Sequence, residues 1–176
     1  MIETDRLILR PPQDHDREAL ASINGDRRVG EWLASTLSRE ESDALVDRVC
    51  AHIADHGWGF WAVERKLDRA VIGMCGLISM HDDLPPGPAV EVGWRFSPET
   101  WGQGYASEAA RAALDWGFAE LKLAEIIAIT ARTNLRSQAV MRRIGMTAEP
   151  WRDFQHPRLA QGHSLREHVL FSARRP

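Results

Sequence analysis

Apolar positions along the chain recur with two periods, and the changes between them mark its elements. Leu7-Ile8-Leu9-Arg10 ahead of Pro11-Pro12 predicts a short first strand. Residues 14–24 predict a short helix. Leu45, Val49 and Ile53 form a stripe at helical period, so a second helix is expected over about residues 39–55. Ser38-Arg39-Glu40-Glu41 before it has the spacing of a capping box, in which side chains satisfy free backbone donors reciprocally. Gly57 stops that helix. Residues 58–65 and 70–80 read as an antiparallel strand pair turning near 66–69, followed by a polar, proline-rich loop at 82–88. A strand at 90–96 precedes a helix at 105–121, whose expected buried face is Ala106, Ala110, Ala113, Leu114, Phe118 and Leu121. The almost wholly apolar run at 126–131 fits a strand covered on both faces. A helix at 135–144, ended by Gly145, and a strand at 168–173 complete the pattern.

The segments 90–96, 105–121 and 126–131 make one strand–helix–strand unit. Such units are almost always right-handed crossovers between parallel strands. With antiparallel strands before it, the sum is an α/β (α+β) fold with a mixed sheet, expected as a single domain over residues 1–176. A net charge of −3 with dispersed Lys and Arg does not suggest a nucleic-acid binder. No apolar run approaches the length of a membrane span. Two cysteines and no leader pattern suggest reduced thiols and a cytoplasmic protein. The seven tryptophans read as core and cleft packing.

The most informative stretch is Trp101-Gly102-Gln103-Gly104-Tyr105-Ala106, a glycine loop feeding a helix start. The first N–H groups of a helix lack internal acceptors and the dipole there favours anions, so this is a place to hold phosphate. It is not a Walker A loop, because no Lys-Ser or Lys-Thr follows the second glycine. It is a poor dinucleotide fingerprint too: Ser107 stands in the third glycine's place, and no acid ends the next strand.

In the order of its elements and motifs the chain resembles the GNAT superfamily of acetyl-CoA-dependent N-acetyltransferases. Of that family's Gln/Arg-x-x-Gly-x-Gly/Ala pattern, Gly104 and Ala106 are present and Trp101 occupies the Gln/Arg position. The opening Thr4-Asp5-Arg6-Leu7-Ile8-Leu9-Arg10-Pro11, the loop with Glu108 after it, and Asn134-x-x-Ser137 ahead of Gly145 resemble the branch that acetylates ribosomal-protein N-termini. The resemblance implies a mostly antiparallel sheet with a central splayed parallel pair flanked by helices. It implies acetyl-CoA as donor, its pyrophosphate on the backbone of Trp101, Gly102, Gln103, Gly104, Tyr105, Ala106 and Ser107. The pantetheine arm would run along the strand edge at Trp94, Arg95 and Phe96 and contact Asn134.

Acetyl transfer needs a neutral amine, help for the developing oxyanion and a proton or hydrogen bond for the leaving thiolate. Glu91 is the candidate base. It alternates with Val90 and Val92 along its strand, and a carboxylate among apolar neighbours has a raised pKa. Many relatives place an acidic Tyr where this chain has Met141, and Tyr105 is the only tyrosine. Ser137 is therefore the candidate contact to the thiol sulfur, and Asn134 a helix cap. His52 and His56 have metal-compatible spacing but no third ligand, so no metal is expected. His156, His163 and His168 suggest a wall beside the acceptor, with Trp32, Trp58 and Trp151 as lining. The acceptor is an amine, either a small molecule or a peptide N-terminus. An acyl-CoA-binding module with little catalysis is the rival reading, motivated by Met141. The oligomeric state stays open, a homodimer included.

Overall fold

A computed structural model describes residues 1–33, 35–80 and 84–175. In chain order its elements are β1 (Ile2–Glu3), β2 (Leu7–Arg10), α1 (Arg17–Gly25), α2 (Arg27–Gly30), α3 (Arg39–His56), β3 (Phe60–Arg65), β4 (Val71–Ser79) and β5 (Val90–Phe96). There follow α4 (Tyr105–Glu120), β6 (Glu125–Ala131), α5 (Leu135–Arg143), β7 (Thr147–Ala148), β8 (Phe154–Gln155) and β9 (Glu167–Arg174). The nine strands form one sheet in the order β1-β2-β3-β4-β5-β6-β9-β7, with β8 also on β9. All pairings are antiparallel except β5 with β6.

The sheet separates two helical layers. On one face α4 and α5 cover a core that includes Leu77, Val92, Phe96, Ala113, Ile126 and Met141. On the other, α1 and α3 close over Leu20, Val46, Met74 and Phe60. Side chains of β5 therefore alternate between the α4 layer (Val92, Phe96) and the α1–α3 layer, where Gly93 lies against Phe60. This alternation decides the surroundings of Glu91 and Arg95.

The expected elements are present, with ends shifted by up to three residues, the largest shift being the start of α1 behind a 3-10 turn at Asp14–Asp16. Asp82 and Asp83 of the expected loop lie outside the described residues. The capping box forms in both directions: Glu41 N–H donates to Ser38 Oγ at 3.2 Å, and Ser38 N–H donates to Glu41 Oε2 at 2.8 Å. Gly57 ends α3 in the left-handed region at φ 78°, which glycine adopts without steric cost. Strands β1, β7 and β8 escape sequence reading because two residues carry no periodicity.

The buried face of α4 differs from the expected one. Tyr105, Ala109, Ala110, Ala113, Leu114 and Gly117 are buried, while Ala106, Phe118 and Leu121 pack at its flanks. Close approach, rather than apolar content, sets the face. A Cβ on Gly117 would lie 2.8 Å from both Leu77 Cδ1 and Ile126 Cδ1. Of the α3 stripe, Leu45 and Val49 line a cleft, Val49 and Ile53 also pack against the core, and Ser42 and Val46 are the fully buried residues of the helix.

Candidate active site

The parallel ladder of β5 and β6 is confined to the pair Glu91–Ile127. Strand β5 stays paired with β4 along Val90–Phe96, and β6 stays paired with β9 along Glu125–Ala131. Beyond Glu91 the two strands thus part, each keeping one backbone edge free of a strand partner. Free edges of this kind accept an extended, amide-bearing ligand by strand addition. The gap opens into a cleft of about 1670 Å³, lined by β5, β6, the loop at 98–107, α5, α3 and the residues after α2.

The loop at the mouth is built by backbone. Gly102 and Gly104 sit at φ 79° and 84°, and nothing lies within 4 Å of a Cβ placed on Gly102. Gly104 caps α4 without a side chain. Glu108 N–H is the first to bond back into the helix, to Gly104 O at 3.0 Å. The N–H groups of Tyr105, Ala106 and Ser107 are left without an intrahelical acceptor, at the positive end of the dipole. An anion such as a pyrophosphate fits this cradle.

The N-terminal motif explains how the cradle is held. Glu108 Oε1 accepts from Thr4 Oγ1 at 2.5 Å and Arg6 N–H at 3.0 Å, and its Oε2 accepts from Arg6 Nε at 2.7 Å. Burial and these partners act in opposite senses on Glu108, and the partners win, holding its pKa below the usual carboxylate range. Arg6 Nη1 also donates to Gln103 O at 3.1 Å, and its guanidinium lies 4.4 Å from the Tyr105 ring centre. Thr4, Arg6 and Glu108, far apart in sequence, clamp the loop to β2.

Trp101 replaces the family's polar residue with a bridge. Its Nε1 donates to Phe96 O at 3.0 Å, and the Arg136 guanidinium lies 4.9 Å from its ring centre. Gln103 departs from expectation. Its side chain turns back to donate to Glu99 O at 3.0 Å, its carbonyl serves Arg6, and it does not line the cleft. The other expected residues do line it: Glu91, Trp94, Arg95, Phe96, Trp101, Gly102, Gly104, Tyr105, Ala106, Ser107, Asn134 and Ser137.

Glu91 lies at the point where the strands part, partly buried. Burial pushes its pKa up to about 7, against a smaller opposing pull from a backbone hydrogen bond with Ile129. Among the described residues it is the only carboxylate lining the cleft. Asn134 N-caps α5 by accepting from Ser137 N–H at 3.1 Å. Its Nδ2 donates to Thr130 Oγ1 and to Ser137 Oγ, each at 3.1 Å. Ser137 Oγ thus receives a hydrogen bond, which leaves its own proton to donate into the cleft. Met141 is buried among core residues and lines the same cleft. Tyr105 is buried, with the Arg6 guanidinium 4.4 Å from its ring centre.

Of the histidines, His168 lines the cleft; Phe154 stacks on it and His156 packs tilted beside it, with ring centres 5.5 and 4.8 Å away. His163 instead accepts from Leu165 N–H within its own turn. His52 and His56 stack on each other at 4.2 Å, and among the described residues no group of three or more His, Cys, Asp or Glu is placed to hold a metal ion. Trp32 lines the cleft, whereas Trp151 is exposed and Trp58 packs on the two stacked histidines. Sequence reading missed Arg48, Arg136 and Arg143 as cleft residues. Only Arg136 carried a signal, its place between Asn134 and Ser137.

Taken together, a splayed parallel pair and a backbone anion cradle at one mouth define a coenzyme A-dependent acyltransferase site. The description "Acetyltransferase (GNAT) domain" matches residues 6–147, and the chain belongs to the GNAT acetyltransferase family, with acetyl-CoA as acetyl donor. FsC-acetyl coenzyme A-N(2)-transacetylase of Aspergillus fumigatus is 51% identical over 154 residues, 83% of this chain and 64% of that one. A GNAT-family acetyltransferase from Bacillus anthracis superposes with a TM-score of 0.82 at 26% identity, over 99% of this chain and 98% of that one. The ribosomal-protein-S5-alanine acetyltransferase of Vibrio fischeri shares the fold, with a TM-score of 0.75 at 19% identity, over 98% of this chain and 95% of that one. Among the described residues no helix is long and apolar enough to cross a membrane.

Proposed function

We propose that the protein acetylates a primary amine by direct attack within a ternary complex, with Glu91 as the base. Acetyl-CoA supplies an activated acyl carbon with a thiolate leaving group. The first turn of α4 and the flanking glycines hold the pyrophosphate, and the free edge of β5 at Trp94–Phe96 takes the amide-bearing arm. The amine approaches from the α1–α3 side, where Glu91 removes its proton, directly or through one water. Backbone N–H groups near Trp94 and Arg95 meet the negative charge that develops on the carbonyl oxygen. Ser137 donates a hydrogen bond to the departing sulfur. Its hydroxyl is too weak an acid to give up the proton fully, so solvent completes that step.

The observation that carries this reading is a lone, partly buried carboxylate with a pKa near 7 where the strands part. A base poised there is about half ionised in neutral solution and takes a proton readily. It also weighs against a mere acyl-CoA-binding module, which has no use for a costly carboxylate. Both cysteines are away from the cleft, and burial raises the pKa of Cys75, which suits direct transfer over a cysteine relay. The Aspergillus relative carries N(2) in its name; a nitrogen acceptor is what we extend to this chain. A single acetyltransferase domain over residues 1–176 is part of the same proposal.

Glu91→Gln tests it. The variant is expected to lose about 100-fold or more in kcat/KM toward amines, within the usual worth of a positioned base. Its affinity for acetyl-CoA should be kept. In the wild type kcat/KM rises through a pH near 7, and in the variant that rise disappears. Wild-type turnover with Glu91→Gln across pH would remove Glu91 as base.

A further inference from the structure

The acceptor half of the cleft holds a cation that the acetyl-transfer chemistry does not use. Arg95 shares the α1–α3 side of β5 with Glu91, about 13 Å further along the strand. Its Nη1 donates to Asn24 Oδ1. Asn24 is only 2% exposed, and its Nδ2 donates to the buried Ser42 Oγ at 2.8 Å. This relay, Arg95 to Asn24 to Ser42, ties the guanidinium to α1 and α3. Among the described residues no carboxylate pairs with Arg95.

The hydrogen bond to Asn24 uses one nitrogen. Nε and Nη2, the side-by-side fork that grips a planar carboxylate with two parallel bonds, have no partner among the described residues and are not sealed in the interior. Arg95 lines the cleft and is partly buried. Burial lowers its pKa to about 10, so it stays charged in neutral solution. Leaving a charge unpaired away from bulk water is costly, and an incoming anion removes that cost. Arg48 on α3 adds another positive charge to the cleft, and among the described residues Glu91 is the one carboxylate lining it. A diamine acceptor would meet Arg95 as a repelling neighbour.

We propose that Arg95 selects acceptors that carry a carboxylate several bonds from the reacting amine. This rests on the acetyl-transfer reading above and names the substrate class for it. Asn24 and Ser42 act as positioning residues, holding the fork open toward the cleft.

The test uses a ladder of straight-chain ω-amino acids, each matched with its methyl ester and with the diamine of the same length. Wild-type kcat/KM for the best acid is expected to exceed that for its ester by about tenfold to a hundredfold, the worth of one charge-assisted contact. Arg95→Gln should bring that ratio to about one. Arg95→Lys, which keeps the charge and loses the fork, should give an intermediate ratio. Melting curves check that both variants fold, and the wild-type ratio needs no variant at all. Binding of the same acids and esters to the CoA-loaded protein is measured in parallel. No preference for acids over esters in turnover and binding, or a preference untouched by either substitution, overturns the proposal. The esters and diamines keep the two readings apart. Their turnover without acid preference sinks the Arg95 proposal and leaves acetyl transfer standing. Tight, Arg95-dependent acid binding with no amine consumed does the reverse.

Discussion

The donor and acceptor halves that the proposed function assigns to the cleft are built on different principles. The donor half is mostly backbone: two glycines at positive φ, the free N–H groups of one helix turn and a strand edge without a partner. Its parts lie close in sequence, between Trp94 and Ser107, with Asn134–Ser137 added from the next crossover. The acceptor half is mostly side chains. Asn24, Ser42, Arg48, Glu91, Arg95 and His168 come from α1, α3, β5 and β9, and only the folded sheet brings them to one place. A backbone site is robust to surface drift, because most substitutions leave N–H groups where they are. A side-chain site can change its ligand one residue at a time. One fold can thus keep its donor while its acceptor changes.

The sharpest way to break this comparison is Glu91→Gln, because it should separate the halves in one protein. Beyond the loss of turnover described above, it should stabilise the fold at high pH. The sign follows from linkage. Glu91 titrates at about 7 in the folded chain and at about 4.3 unfolded. Between those values the folded state binds the extra proton, so wild-type stability falls as pH rises through this window. Above pH 7 the full cost of the ionised carboxylate is present. Discounted for its partial exposure, that cost is about 2 kcal/mol. Glu91→Gln should be more stable than wild type by about that amount at pH 8 and nearly equal at pH 5. Denaturant melts at the two values read it directly. Equal differences at both would mean that Glu91 is not held in an apolar setting.

The same contrast explains what the sequence disclosed. The strand–helix–strand unit, the capping box at Ser38 and the glycine loop are local patterns, and each is present in the structure. Glu91 stood out because a lone acid in an apolar strand is also a local pattern. Arg95 was legible only as a piece of strand edge, since nothing near it in sequence foretells Asn24, 71 positions away. The clamp of Thr4 and Arg6 on Glu108 spans over 100 positions, so its members were visible as a motif while their physical task was not. Gln103 looked like part of the cradle because it sits between the two glycines. Its side chain instead turns back to donate to Glu99 O.

A smaller effect is expected from Gly104→Ala, which probes the donor half. At φ 84° an L side chain strains the backbone by about 1–2 kcal/mol. The added Cβ would meet only Arg6 Nη2, at 3.5 Å, an ordinary contact, so the cost is conformational rather than steric crowding. Relief comes by shifting the loop, which misaims the first-turn N–H groups. KM for acetyl-CoA should rise about tenfold while KM for the acceptor stays within about twofold. Steady-state kinetics with each substrate varied separates the two. A shared rise would mean that the halves are mechanically coupled through β5.

The smallest effect sharpens the border between the halves. In the proposed mechanism Ser137 meets the donor through its hydroxyl, which Asn134 fixes by donating to it at 3.1 Å. Ser137→Ala removes the hydrogen bond to sulfur and leaves the cap of α5 intact, because the cap uses the Ser137 backbone N–H. One neutral hydrogen bond contributes about 1 kcal/mol, so kcat should fall about fivefold with little change in stability. The loss should depend on the leaving group. A donor with a more acidic thiol leaves readily without help, and the wild-type advantage should shrink with it. A fivefold loss that stays constant across donors of different thiol acidity would mean that Ser137 positions the arm rather than assisting departure.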